Sequence, residues 1–315
     1  MSKIRVLFMG TTFFSQNILT TLLTTMNNEV EVVGVVCQPD RKIGRKQTLV
    51  ELPIKQLAIS ANIPVFQPEK IIDSLQSLAQ LNIDVIITCA YGQFLPKPIL
   101  NLPKQKCLNI HASLLPALRG GAPIQWAIIK GLTSTGITLM DMISKMDAGG
   151  IYIQDAVTIT NVDTYVSLTN KLIAIAKKML VTNLLPIVNN VLIPKPQDEN
   201  KVTFGFNILR KDEKINWQQS AYLISCHVRG LYDVPIAYTI LNDVIYKIHQ
   251  VEVTNENSTL PAGTIIAINK LGIIVTTTSN IIIIKIIQPA GKNPLDAKFY
   301  FGSKTNPIAV GLKFN

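Results

Sequence analysis

Five short, almost unbroken apolar runs occupy the first third of the chain, at residues 4–9, 30–37, 63–66, 85–89 and 107–110, and stretches with helical spacing at 15–25, 54–60 and 72–81 lie among them. A strand that is apolar on both faces has to be covered on both, and strands that alternate with helices run parallel. That rhythm confines the fold to the α/β class, with a doubly wound, mostly parallel, Rossmann-like sheet. Ligands of such sheets gather beyond the carboxyl ends of the strands. The first strand ends in Gly10-Thr11-Thr12-Phe13-Phe14 rather than in a G-x-G-x-x-G turn, which disfavours a nicotinamide-dependent dehydrogenase.

The pattern changes past residue 160. Residues 161–184 have the spacing of one long helix, 185–202 form a Pro- and Asn-containing crossover, and 217–228 return to helical spacing. Short apolar strands follow at 237–241, 244–252, 263–269, 272–278 and 281–288. Turn residues such as Asn242-Asp243 and Pro261-Ala262-Gly263 separate them, the pattern of a small barrel of the oligonucleotide-binding (OB-like) type. A chain of 315 residues can bury two cores, divided here as 1–184, a linker at 185–206, and 207–315. Cys37, Cys89, Cys107 and Cys226 stand singly and His111, His227 and His249 are far apart, so neither a metal site nor a disulfide is expected. No targeting segment and no membrane span is legible, and a cytoplasmic monomer is the expectation.

The richest local feature closes the fifth apolar run. Asn109 and His111, two residues apart, point to one side of a strand because strand side chains alternate faces. The run then breaks into Ser113-Leu114-Leu115-Pro116 and Arg119-Gly120-Gly121-Ala122-Pro123, a loop of the kind found where backbone approaches a ligand closely. An Asn and a His in such a place often only hydrogen-bond the loop. Asp147, in the later turn Met146-Asp147-Ala148-Gly149-Gly150, reads on spacing alone as a turn former.

The string His111-Ala112-Ser113-Leu114-Leu115-Pro116, with Arg119-Gly120-Gly121-Ala122-Pro123-Ile124 behind it, resembles the signature of the folate-dependent formyltransferases. The resemblance implies transfer of a formyl group from 10-formyltetrahydrofolate to an amine. It makes Asn109 the donor to the carbonyl oxygen on which negative charge develops. His111 becomes a second donor to that oxygen or the acid for the departing nitrogen, and Asp147 the carboxylate that orients His111 and handles the proton of the amine. By the same resemblance Ser113, Leu114, Leu115 and Pro116 line the folate site, and loop 90–96 receives the pterin. Asp141, inside a strand, is read as a solvent-facing or edge residue.

Charge bears on the acceptor. Thirty Lys and Arg against 20 Asp and Glu leave a net charge of +10, a balance that favours a polyanionic partner. Arg41, Lys42, Arg45 and Lys46 crowd one loop, and from Lys270 onward six lysines face one acid, Asp296. Gln38-Pro39-Asp40-Arg41, Gln67-Pro68, Ile215-Asn216-Trp217 and Gln288-Pro289-Ala290-Gly291-Lys292 extend the resemblance along nearly the whole chain, toward family members that formylate the methionine carried by initiator tRNA. It implies that Arg41, Lys42, Arg45 and Lys46 meet the acceptor stem and that the barrel holds the tRNA backbone. Thr12, Glu51, Asn216 and Tyr232-Asp233-Val234-Pro235 differ from the residues usual at those places. Two other readings share parts of the pattern: a sugar-nucleotide N-formyltransferase has the catalytic half, and a non-catalytic tRNA-binding protein has the basic surfaces.

Overall fold

The structure, a computed structural model, describes residues 2–43, 48–302 and 307–315. It divides into two compact units. The first comprises Met1–Pro123, Thr135–Val157 and Thr169–Phe206, the second Ile124–Ser134, Thr158–Leu168 and Asn207–Asn315.

The first unit is built on β1 (Ile4–Gly10), α1 (Phe13–Thr24), β2 (Val30–Val36), β3 (Arg41–Ile43), β4 (Thr48–Val50), α2 (Pro53–Ser60), β5 (Val65–Phe66), α3 (Leu75–Ala79), β6 (Val85–Cys89), α4 (Lys97–Leu100) and β7 (Lys106–His111). Then come α5 (Pro123–Ile129), β8 (Ser134–Asp141), β9 (Ile151–Thr158) and α6 (Tyr165–Val188). The sheet runs β5-β2-β1-β6-β7-β8-β9. Neighbours from β5 through β7 pair in parallel and β8 pairs antiparallel with β7. Strand order therefore reverses between β1 and β6, the crossing point beside which ligands bind in sheets of this kind. The apolar runs are buried as their composition demands: Val6 to Met9 and Val85 to Ile87 have no exposed surface.

The Thr12 departure has a local explanation. Thr12 is the N-cap of α1 and exchanges hydrogen bonds with Ser15, whose hydroxyl also donates to Cys89 O at 2.6 Å. A capping box thus holds the turn after β1. The helical spacing at 72–81 resolves into a 3-10 turn, Ile71–Ser74, followed by the short α3, because Ser74 (φ −95°, ψ 2°) leaves the helical region. Within the segment expected as a linker, residues 185–188 are the last turn of α6, and Lys195 and Phe204 bridge to Ile151 and Arg119. Residues 194–206 are stitched into the first unit rather than strung between bodies.

The second unit carries α7 (Ala221–Gly230), β10 (Tyr238–Leu241), β11 (Val244–Val253), β12 (Ile265–Asn269), β13 (Gly272–Thr276), β14 (Ile281–Pro289) and β15 (Leu295–Asp296). The strands order antiparallel as β10-β11-β14-β13-β12, with β15 beside β14. Residues 311–315 close this sheet into a barrel. Gly311 N and Leu312 O bond Ile265 on one side, and Asn315 exchanges two bonds with Ile240 of β10 on the other. Trp217 does not enter a helix as its spacing predicts: Ser220 caps α7 three residues later, and the indole drops into the core, 4% exposed, with Nε1 donating to Thr239 Oγ1 at 2.9 Å. Asn216 accepts Gln218 N at 3.0 Å, so the amide forms the turn at this position.

Candidate active site

The last residues of β7 and the loop between β8 and β9 converge on one carboxylate. Asp147 Oδ1 accepts Asn109 Nδ2 at 3.3 Å and lies 3.7 Å from His111 Nδ1, while Oδ2 accepts the Gly120 N–H at 2.8 Å. The structure thus brings together the three side chains that sequence and resemblance single out. The His111 side chain is 6% exposed and that of Asp147 16%, so little of either side chain faces solvent.

Chemistry fixes the orientation of two of these groups. Only an amide nitrogen can face the carboxylate, so Asn109 Nδ2 points to Asp147 and its Oδ1 accepts the Thr88 hydroxyl at 2.9 Å. One Nδ2 hydrogen remains for another acceptor. The His111 Nε2 lies 3.1 Å from Leu118 O, and a carbonyl oxygen can only accept. Nε2 therefore carries the hydrogen, and a proton taken up by the ring lodges on Nδ1, between imidazole and carboxylate. Thr88, in register with Asn109 across β6 and β7, is a contributor that sequence reading missed; a lone Thr at a strand end gives no signal.

The backbone around the site sits in unusual conformations. Asp147 (φ 46°), Leu118 (φ 58°) and Ala90 (φ 46°) are non-glycine residues in the left-handed region, and two of them belong to the loops that hold His111 and Asp147. Such conformations persist where surrounding contacts over-determine them, and they concentrate at functional sites. Gly120 (φ 122°) faces Gly205 O, which an added Cβ would meet at 2.8 Å, and a Cβ on Gly149 would come within 1.9 Å of Asp141 O. Gly149 thus lets the acid-bearing loop close onto β8, and a Cβ on Gly150 would meet Pro194 at 2.8 Å. Asp141 itself is not a free edge residue: its Oδ1 accepts the Tyr152 hydroxyl at 2.6 Å, a bond across β8 and β9 that spacing could not reveal.

Of the four residues the resemblance gives to the folate, Ser113 and Leu115 are buried and Leu114 and Pro116 half-buried. Ser113 Oγ donates to Ala117 O at 2.6 Å, so this hydroxyl shapes the loop. In loop 90–96, Phe94 is 62% exposed while Tyr91 and Leu95 are buried. Among the described residues no group of three His, Cys, Asp or Glu side chains gathers as a metal cage. The four cysteines are free and buried, and desolvation pushes the Cys37 thiol up to about 11 and the Cys107 thiol up to about 12.

On either side of the basic loop β3 and β4 pair antiparallel, Arg41 opposite Val50. Arg41 forms a two-pronged pair with Glu69 at 2.9 and 3.2 Å, exposed on both sides and worth roughly 0–1 kcal/mol. Lys42 lies in β3, and its side chain, like Arg45 and Lys46 as a whole, falls outside the described residues. The acid of the Glu51 departure is answered by Lys55 at 3.0 Å, and Lys55 also binds Asp40 at 2.6 Å. In the second unit, Lys211, Lys214 and Lys313 surround an open cavity of about 410 Å³ floored by Trp217 and Phe314. Lys211 and Lys214 escaped sequence reading because Asp212 and Glu213 stand between them. In the structure those acids are used locally, Asp212 on Leu209 N and Glu213 on Arg210.

Asn109, His111 and Asp147 converge beside the carboxyl end of β7 in a Rossmann-like sheet, and comparison with known proteins gives the class, a formyl-group transferase. The formyl transferase family profile matches residues 2–184, and the profile of the formyl transferase C-terminal domain matches 207–305. The chain is 44% identical over 311 residues to the methionyl-tRNA formyltransferase of Mesoplasma florum, covering 99% of both chains. It is 42% identical over 312 residues to that of Staphylococcus aureus, covering 98% of this chain and 99% of the other. It belongs to the methionyl-tRNA formyltransferase family. An N-formyltransferase from Helicobacter canadensis, solved with folinic acid and dTDP-3-aminofucose, shares the fold at a TM-score of 0.67 and 18% identity, over 91% of this chain and 99% of that one.

Proposed function

We propose that this chain transfers the formyl group of 10-formyltetrahydrofolate to the α-amino group of methionyl-tRNA, the initiator species, and that Asn109, His111 and Asp147 carry the chemistry. The observation that carries this reading is the shared carboxylate: Asp147 Oδ1 lies within 3.3 Å of the Asn109 amide and 3.7 Å of the His111 ring. The free Nδ2 hydrogen of Asn109 meets the formyl oxygen as the amine adds to the carbon and charge moves onto that oxygen. Loss of one such donor lowers the rate by about 10²- to 10³-fold. Asp147, through His111 Nδ1 or a water, takes the proton that the attacking nitrogen sheds. The same proton passes to the folate nitrogen as its bond to the formyl carbon breaks, and the cycle ends with no covalent enzyme intermediate.

Leu114, Pro116 and Phe94, with the main chain of their loops, offer the apolar walls that suit a flat heterocycle. Arg41, Lys42, Arg45 and Lys46, together with Lys211, Lys214 and Lys313, supply cations for the phosphates of the tRNA. No helix of the described residues is long and apolar enough to cross a membrane, and a translation enzyme of this charge works as a monomer in the cytoplasm. An assay with 10-formyltetrahydrofolate and either methionyl-tRNA or an amino-sugar nucleotide tests the reading. Formylation of the tRNA alone is the expected result; transfer to the sugar alone, or to neither, contradicts it.

A further inference from the structure

Residues 194–206, a connector by composition, make contacts that a connector does not need. Gln197 Nε2 donates to the main-chain carbonyls of Asp147 and Gly149, each at 2.8 Å, and its Oε1 accepts Arg119 Nε at 3.1 Å and Nη2 at 2.8 Å. Both hydrogens and the oxygen of this amide are engaged, and its orientation is set by the guanidinium, which can only donate. Arg119 is 1% exposed and is the largest side chain so deeply buried among the described residues. Its outer edge meets Glu199 at 2.8 Å, and Lys145 meets the other oxygen of that carboxylate at 2.7 Å. Those two partners, Arg119 foremost, hold the Glu199 carboxyl down to about 2, so the counter-charge of the guanidinium persists at any working pH.

The main chain of Arg119 completes the grip. Its N–H donates to Thr203 O at 2.9 Å and its carbonyl accepts Gly205 N at 2.8 Å. The next N–H, that of Gly120, is the one on Asp147 Oδ2, and the preceding residue, Leu118, donates its N–H to Thr203 Oγ1 at 2.9 Å while its carbonyl holds His111. Asp147 is thus held by its backbone through Gln197 and by its carboxylate through Gly120, and both holds are anchored on Arg119. Arg119 is buried while the side chain of its partner Glu199 is 57% exposed, and packing alone gives no reason for a guanidinium here, since apolar side chains of the same volume often serve a core as well or better. A directional task accounts for retaining the charge here.

We propose that Arg119 and Gln197 are positioning residues for formyl transfer: they touch no substrate, and they hold the Asp147 loop where the carboxylate reaches both Asn109 and His111. The inference rests on the assignment of Asp147 above. Gln197→Glu keeps the length and the contact with Arg119 but removes both N–H donors. It is expected to lower kcat about 10- to 100-fold, the size of effect seen when an outer partner that orients a reactive group is lost, with KM for tRNA and folate nearly unchanged. In an Asp147→Asn background the same change is expected to alter the residual rate by less than about twofold, because the carboxylate whose position matters is gone. Should the new acid disturb folding, Gln197→Met has similar length and no donors and carries the same expectation, with thermal unfolding followed alongside.

Wild-type kcat in the Gln197 variants, or an equal loss of kcat in both backgrounds, overturns the proposal and leaves the assignment of Asp147 intact. Full turnover in Asp147→Asn alone removes the assignment, and the positioning role with it.

Discussion

At the residue scale, the site is a carboxylate with its partners chosen by elementary donor and acceptor rules. Asn109 and His111 were legible because two polar groups at alternate positions of an apolar strand share a face. Asp147 was legible only through resemblance, since an Asp before Ala and two Gly is ordinary turn chemistry. Thr88 and Gln197 were not legible at all: each makes a contact that depends on pairing or packing far away in sequence, 21 residues for Thr88 to Asn109 and 50 for Gln197 to Asp147. Glu199 carries a pH prediction. A carboxylate whose folded value lies below its unfolded one, about 4.3, stabilises the protein fully above that value and loses the effect as pH falls toward the folded value. With Glu199 held at about 2, the stability difference between wild type and Glu199→Gln should be constant at neutral pH and shrink between roughly pH 4.3 and 2. Urea unfolding at several pH values measures it, and a difference that does not change with pH contradicts the role given to this carboxylate.

At the element scale, the strands of the first unit were readable to within a residue or two because continuous apolar runs leave little choice of face. Where sequence reading departed from the structure, local hydrogen bonding explains it. After β2, residues 41–43 and 48–50 pair as β3 and β4, and Ser220 starts α7 later than the spacing of Trp217 suggests. The closing segment of the barrel was invisible: residues 311–315 carry no strand pattern, yet they bond to β10 and to Ile265 at the start of β12. Phe314 anchors that segment, 1% exposed, stacked on Trp217 at 5.6 Å and edge-on to Tyr246 at 6.4 Å. Phe314→Ala should therefore destabilise the second unit by about 3–5 kcal/mol, the range for a buried aromatic truncated to Ala. Denaturant unfolding followed by tryptophan fluorescence, with Trp126 and Trp217 both in the second unit, reads this, and a loss below about 1 kcal/mol would show that the segment is not part of the core.

At the scale of the whole molecule, net charge pointed to a polyanionic acceptor but not to where it binds. Counting residues found the run at Arg41 to Lys46 and passed over Lys211 and Lys214, whose acidic neighbours cancel them in sequence but not in space. Each phosphate contact released contributes about 0.9 to the slope of log affinity against log salt. Replacing Lys211, Lys214 and Lys313 together by Ala should lower that slope for tRNA by about two to three units without altering the bound-state formylation rate. Filter binding over a salt series measures the slope, and an unchanged value places the cavity outside the tRNA footprint.

The central claim, that one carboxamide, one imidazole and one carboxylate act on a single formyl carbon, is tested most directly by single-turnover formylation of methionyl-tRNA at saturating 10-formyltetrahydrofolate. Asn109→Ala, His111→Asn and Asp147→Asn should each lower the rate at least about 100-fold while binding tRNA as wild type does, and the triple variant should be little slower than the worst single one, as groups that act as a unit behave. Any of the three retaining the wild-type rate, or losses that multiply through independently, would contradict it.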